Sequence, residues 1–114
     1  MEVRVRRSEG QQDIQIVEIE GRIAADTSPE LEKNLNALLD TNVVKIIVDF
    51  AQVNYISSGG LRVFLTALKR ARANNGDVKL INLTSNVEKI FKLAGFTKIF
   101  NIMSDIESAL NAFE

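Results

Sequence analysis

Cysteine and histidine are both missing from this chain of 114 residues. Without cysteine there can be no disulfide, no thiolate nucleophile and no Cys-based metal centre. Without histidine, a Ser-His-Asp triad, a His-ligated metal and a phosphohistidine carrier are excluded as well. An excess of either charge is also lacking. Fourteen basic residues face fifteen acidic ones, a formal net charge of −1, which makes no electrostatic case for nucleic acid as a direct partner. No apolar run approaches the length of a membrane span, so no membrane insertion is expected. The first seven residues alternate charged and apolar types, with no apolar segment behind them. This does not read as a signal peptide, and a reducing, cytoplasmic setting is expected.

What is present is ordinary for a globular protein: 46% hydrophobic and 25% charged residues. The length fits one domain spanning 1–114, with a single two-layer core. No repeat, low-complexity segment or linker interrupts it.

Val3 and Val5 suggest a first strand, Glu9 to Gln12 a turn, and Ile14 to Ile19 a second strand ending at Gly21. Together they read as an antiparallel hairpin. Thr27 stands three residues before Glu30, a capping-box spacing, with Pro29 in the first turn. Leu31, Leu35, Leu38 and Leu39 then form one apolar helix face. Val43 to Val48 is β-branched and nearly continuous, as expected of a central strand covered on both sides, and Asp49 and Phe50 end it. Gln52 to Ser58 form a connection. Leu61 opens a second helix whose inner face carries Phe64, Leu65, Leu68 and Ala71; Asn74-Asn75-Gly76 stops it.

Val78, Leu80 and Ile81 form the next strand. Ser85 and Glu88 suggest a second capping box, ahead of a short helix lined inside by Val87, Ile90, Phe91 and Ala94 and ended by Gly95. Ile99, Phe100 and Ile102 read as a last strand. Ser104 and Glu107 suggest a third capping box, before Ile106, Ala109, Leu110 and Phe113. Strands alternating with helices after an opening hairpin imply an α/β fold: a mixed β-sheet of four to five strands with about four helices packed on it.

The chemistry concentrates in the segment from Asp49 to Val63, at Ile56-Ser57-Ser58-Gly59-Gly60-Leu61-Arg62. One reading is structural. A serine hydroxyl before a helix accepts a hydrogen bond from a first-turn N–H, and paired glycines allow a sharp turn or a close approach. The other reading is functional. Free N–H groups and the helix dipole suit an anion. A phosphate on Ser58 would add about −1.5 to −2 charges, with Arg62 one helical turn further on. It would change surface charge at one exposed point and leave the fold undisturbed.

A strand ending in an acidic residue, a short loop, this Ser-Ser-Gly-Gly-Leu segment and an apolar helix resemble the sulphate transporter and anti-sigma factor antagonist (STAS) family. The resemblance extends over essentially the whole chain. It includes the hairpin, Gly21, the helix at Thr27 and the Leu93-Ala94-Gly95-Phe96 segment. Family members carry an Asp-Ser-Ser-Gly-Leu motif or a close variant at this turn, and its first serine accepts phosphate from a partner serine kinase that is also an anti-sigma factor. Matching Gly60-Leu61 to the motif places Ser58 at the acceptor, with Ser57 as the second choice, and Gly59 at the variable small position. The chain departs from the pattern twice. Ser57 replaces the aspartate before the acceptor, and Ala24 falls at a second acidic position, with Asp26 close by.

The resemblance implies an anti-sigma factor antagonist whose partners are an anti-sigma factor serine kinase and a protein phosphatase. Tyr55, Ile56, Ser57, Ser58, Gly59, Gly60, Arg62 and Val63 are the candidate partner-binding residues. The alternative is a non-phosphorylated STAS interaction subunit of a transport or signalling complex. An enzyme is not expected, because serine as a nucleophile needs a base and no lysine stands at a spacing that argues for one. No catalytic residue, metal ligand or cofactor is assigned. The glycines match neither phosphate-binding loop pattern. Asp49 lacks the acidic pair a receiver domain needs, and reads as a residue supporting backbone N–H groups nearby. Arg62, Lys69, Arg70 and Arg72 read as a solvated helix face, or as a contact for an acidic partner.

Overall fold

The computed structural model describes residues 1–10 and 13–113. Its elements follow one another as β1 (Glu2–Arg7), β2 (Ile14–Ile23), α1 (Ser28–Asp40), β3 (Lys45–Ile56), α2 (Ser58–Ala73), β4 (Asp77–Ile81), α3 (Ser85–Leu93), a 3-10 turn (Phe96–Lys98), β5 (Asn101–Met103) and α4 (Ile106–Ala112). The strands form one sheet in the order β1-β2-β3-β4-β5. β1 and β2 are antiparallel and the other pairs parallel, so the sheet is mixed, as expected. The expected turn at Glu9–Gln12 is described only in part: Gly10 takes φ +82°, and Gln11 and Gln12 lie outside the described residues.

Side-chain alternation divides the core in two. Val17, Ile19, Val48, Phe50, Val78 and Leu80 point to the face covered by α1, α2 and α3, and pack on Leu31, Leu35, Phe64, Leu68, Val87 and Phe91. Phe50 anchors this side, with ring centroids 5.2 Å from Phe64 and 5.8 Å from Phe91. Ile14, Ile16, Ile47 and Ile81 form a separate, smaller cluster with Ala109, Ile106 and Phe113 of the α4 end.

Several boundaries differ from the sequence reading, for one recurring reason. β2 does not end at Gly21 but runs to Ile23, and β3 does not end at Phe50 but runs to Ile56. The two strands continue together through register shifts at Glu18/Glu20 and Gly21/Arg22. These shifts break the strict alternation that marks a strand in sequence, yet Val53 and Ile56 still reach the core. The last strand is Asn101–Met103. Ile99 and Phe100 lie before it, with Ile99 on the surface and Phe100 turned inward against Phe91. Ala94 is exposed, outside the inner face of α3.

None of the three capping boxes forms as read. The Thr27 hydroxyl makes no cap bond. It accepts from the Ala24 N–H at 2.9 Å and reaches the Arg22 carbonyl, closing the preceding loop instead. α3 is preceded by Thr84, not capped by Ser85, and the Thr84 hydroxyl donates to the Val53 carbonyl at 2.8 Å. At α4 the cap is Asp105, not Ser104. Its carboxylate accepts from the Ser108 N–H at 2.8 Å, and that bond leads the causes holding its pKa below the ordinary value.

Candidate functional site

Ser57 continues the β3 ladder by one bond. Its N–H donates to the Ile23 carbonyl at 2.8 Å, which holds it extended at φ −83°, ψ 168°. From there its side chain turns back and accepts from the Gly60 N–H at 3.2 Å, while its carbonyl accepts from Leu61 N–H. Ser57 is therefore the N-cap of α2, and Ser58 is the first residue of the helix. The sequence reading did not name which serine caps the helix and placed the helix start at Leu61; the cap is Ser57 and the start moves back to Ser58.

Ser58 is exposed, and its hydroxyl has no hydrogen-bond partner among the described residues. The same holds for the Ser58 and Gly59 N–H groups, the first two orphan donors of the helix. An exposed hydroxyl, two amide donors without partners among the described residues and the positive end of a 16-residue helix thus meet at one point.

The two glycines have different reasons to be there, and neither takes a positive φ. Gly60 is buried, and a Cβ on it would come within 2.6 Å of Ile23 Cγ2 and 2.8 Å of Ile56 Cγ1. It lets the first turn of α2 sit directly on the ends of β2 and β3. At Gly59 a Cβ would meet Ser28 Oγ at 3.4 Å, an ordinary contact. Ile56 is buried as well. Ile56 and Gly60 thus support the turn from beneath, while Ser58, Arg62 and the half-exposed Tyr55 form its outer surface.

Gly59, Arg62 and half-buried Val63 line a shallow groove of about 220 Å³, closed on the other side by Ser28, Pro29 and Glu32 of α1. On the strand side, the Arg22 guanidinium stacks over the Tyr55 ring at 4.9 Å. Arg22, Ser28 and Glu32 were not singled out in the sequence. Arg22 meets Tyr55 only through the shifted β2–β3 register, and Ser28 and Glu32 only through the packing of α1 beside α2. Ala24 is half-buried and its N–H is used by Thr27; Asp26 nearby is exposed.

The cationic stripe on α2 divides. Arg70 pairs with Asp40 at 2.6 Å, and Arg72 with Asp77 at 3.0 Å. Arg62 and Lys69 have no ion pair among the described residues and remain available. Asp49 behaves as read: its Oδ1 accepts from the Ala51 N–H at 2.9 Å, and also from the Asn82 side chain. Among the described residues no group of three acidic side chains could hold a metal ion, and no helix is long and apolar enough to cross a membrane. A larger groove of about 580 Å³ lies beyond the ends of β4 and β5, lined by Asn82, Glu88 and Ser104 among others. It shares no lining residue with the serine turn.

The STAS domain profile matches residues 6–109. A Bordetella bronchiseptica protein, the candidate anti-sigma factor antagonist BtrV, is 32% identical over 96 residues, which cover 84% of this chain and 83% of that protein. Two solved structures share the fold. A candidate anti-sigma factor antagonist from Thermotoga maritima superposes with a TM-score of 0.89 at 20% identity, covering 96% of this chain and 92% of that one. The Bacillus cell fate determinant SpoIIAA, solved in its phosphorylated form, does so with a TM-score of 0.75 at 15% identity, covering 99% and 100%.

Proposed function

The chain belongs to the STAS domain family, and from that premise we propose that it is an anti-sigma factor antagonist switched off by phosphorylation of Ser58. In its unmodified form it binds an anti-sigma factor through the surface formed by Tyr55, Ser58, Gly59, Arg62 and Val63, and so frees the sigma factor. The anti-sigma factor is also the serine kinase that modifies Ser58, and a protein phosphatase resets the switch. A cytoplasmic location fits this role.

The division of labour between adjacent serines carries the reading. The Ser57 hydroxyl is occupied as a helix cap. That of Ser58 is exposed, unbonded and free to enter a kinase active site. A phosphate there gains from the helix N-terminus and from the open amides of Ser58 and Gly59. It stands four residues before Arg62, on the same helical face. The added charge of about −1.5 to −2 draws Arg62 onto itself. A partner docked over the turn then meets a bulky dianion and loses an exposed cation, with the backbone unchanged.

Incubation with a cognate anti-sigma factor serine kinase and ATP, followed by mass spectrometry, tests the assignment. Phosphate is expected on Ser58 and on no site of Ser58→Ala. Phosphate elsewhere, with Ser58→Ala still accepting it normally, removes the assignment. One observation favours a second reading, a non-phosphorylated interaction subunit: neither Ser57 nor Ala24 supplies the carboxylate usual at its position. Recovery of a transporter ATPase rather than a kinase as the stable partner would decide for that reading.

A further inference from the structure

The most exposed large apolar side chain among the described residues is Leu93, at 89%. It ends α3 on the side turned away from the core. Val87 and Phe91 point inward. At 100° per residue, Lys89, Lys92 and Leu93 therefore share the outer face, with Lys89 one turn below Leu93. Gly95, at φ +79°, folds the chain back into the 3-10 turn that carries Lys98, followed by Ile99, which is 40% exposed. Lys89, Lys92 and Lys98 are all exposed, and none has an ion pair among the described residues. The only acidic residue between positions 85 and 100 is Glu88, on the flank of the helix where it shares a groove with Lys92. The segment thus carries a formal charge of +2 on a chain whose total is −1.

This surface lies far from the serine turn. The Arg72 guanidinium, near the C-terminal end of α2, binds the Ile99 carbonyl at 3.0 Å. Ser58 opens the other end of that 16-residue helix, roughly 20 Å away at 1.5 Å per residue.

We propose that the Leu93 tip, with Lys89, Lys92 and Lys98 around it, is a peripheral docking point for an anionic lipid surface. Charge complementarity and composition favour a bilayer over a protein. Protein interfaces are enriched in aromatic residues and arginine and depleted in lysine. The surface at Ser58, with Tyr55, Arg22 and Arg62, has that composition, and the Leu93 tip has the opposite one. A bilayer needs no fitted pocket. It takes one aliphatic side chain at the headgroup boundary while lysines meet the lipid phosphates. Each lysine near an anionic surface contributes about 1 kcal/mol, about fivefold in partitioning. The contact is therefore weak and reversible, and it works beside a second attachment, such as the partner held at Ser58. It does not depend on the phosphorylation reading, since Leu93 is accessible in either state of that serine.

The chain has no tryptophan, so Leu93→Trp gives a single fluorescent reporter at the tip. Its emission is expected to shift to the blue on vesicles of phosphatidylglycerol and phosphatidylcholine, and not on phosphatidylcholine alone. Added salt reverses the shift. Lys33→Trp, on the outer face of α1, stays unshifted. In sedimentation with the same vesicles, Leu93→Ser and the Lys89, Lys92, Lys98→Gln triple variant each bind at least about tenfold less, while Ser58→Ala binds as the parent does. An unshifted Leu93→Trp emission, or equal sedimentation of the triple variant, overturns the proposal. So does a result in which these variants weaken binding to a purified anti-sigma factor and leave vesicle binding unaffected, because the tip then serves a protein. All substituted side chains are exposed, and far-UV circular dichroism verifies that each variant is folded.

Discussion

At its N-terminal end α2 leaves a hydroxyl and two amides without partners among the described residues; at its C-terminal end the polar groups gathered around Asp77 are engaged with one another. Asp77 accepts from Arg72 and from its neighbour's N–H through one oxygen, both at 3.0 Å. Through the other it accepts from Lys79 at 2.9 Å and Asn101 at 2.8 Å. Lys79, almost fully buried, also lies 4.6 Å from the centre of the Phe113 ring. These bonds tie α2, β4, β5 and the end of α4 together. A buried polar cluster with every group satisfied stabilises a corner and offers nothing to a partner. Open groups of similar chemistry at the other end have no structural task and are free to act.

The sharpest way to break the comparison is at the glycines of the two ends. A Cβ on Gly76 would collide with the backbone carbonyl of Val44, whereas one on Gly60 meets only side-chain carbons of Ile23 and Ile56. Backbone cannot move aside as a side chain can. Gly76→Ala is therefore expected to lose about 3 kcal/mol or more, and Gly60→Ala about 1–2 kcal/mol, in urea unfolding. Equal losses would show that the serine end is as rigidly packed as the other.

Asp77→Ala comes next, at about 3 kcal/mol near neutral pH, because it strands Lys79 without its counter-charge. Burial pushes the Asp77 carboxyl up, but hydrogen bonds from Lys79 and Asn101 and the charges of Lys79 and Arg72 outweigh it. The net value is lowered. A folded pKa below the unfolded one gives stability that is complete above about pH 5 and disappears as pH falls through the folded value. Unfolding midpoints measured down to about pH 2 should fall more steeply for the parent than for Asp77→Ala.

Much of this was legible in the sequence. The hairpin, the order of elements and most of the inner-face residues of the helices followed from periodicity, and the serine turn stood out by its composition. The helix caps were not legible. Thr84 is bonded to Val53, 31 residues away, and Thr27 closes its own loop. A hydroxyl takes whichever acceptor or donor the fold brings near, and spacing to a downstream glutamate does not report that choice. The length of β3 was hidden because its register shifts disturb the alternation by which strands are recognised.

Smaller effects sharpen the contrast within the serine end. Ser57→Ala removes the cap and is expected to cost about 1 kcal/mol of stability. Ser58→Ala breaks no bond and should stay within about 0.5 kcal/mol of the parent. In titrations against the anti-sigma factor without ATP, Ser58→Glu should bind more weakly than Ser58→Ala, and Arg62→Ala should narrow the difference between them. A Ser58→Ala variant that loses as much stability as Ser57→Ala would show that the two hydroxyls share the structural role.

By itself the sequence determined which chemistries are closed to this protein, the order of strands and helices, and that Ser57-Ser58-Gly59-Gly60 is a turn leading into a helix. Only the tertiary structure decided which serine is spent on the cap, which cations of α2 remain unpaired, and that Leu93 stands out among lysines. The reason is physical. Periodicity records how a residue relates to its own helix or strand. Whether a polar group is occupied depends on what the folded chain brings within about 3 Å of it, and here that is set by where the end of β2 meets β3 and where α1 and β4 meet α2.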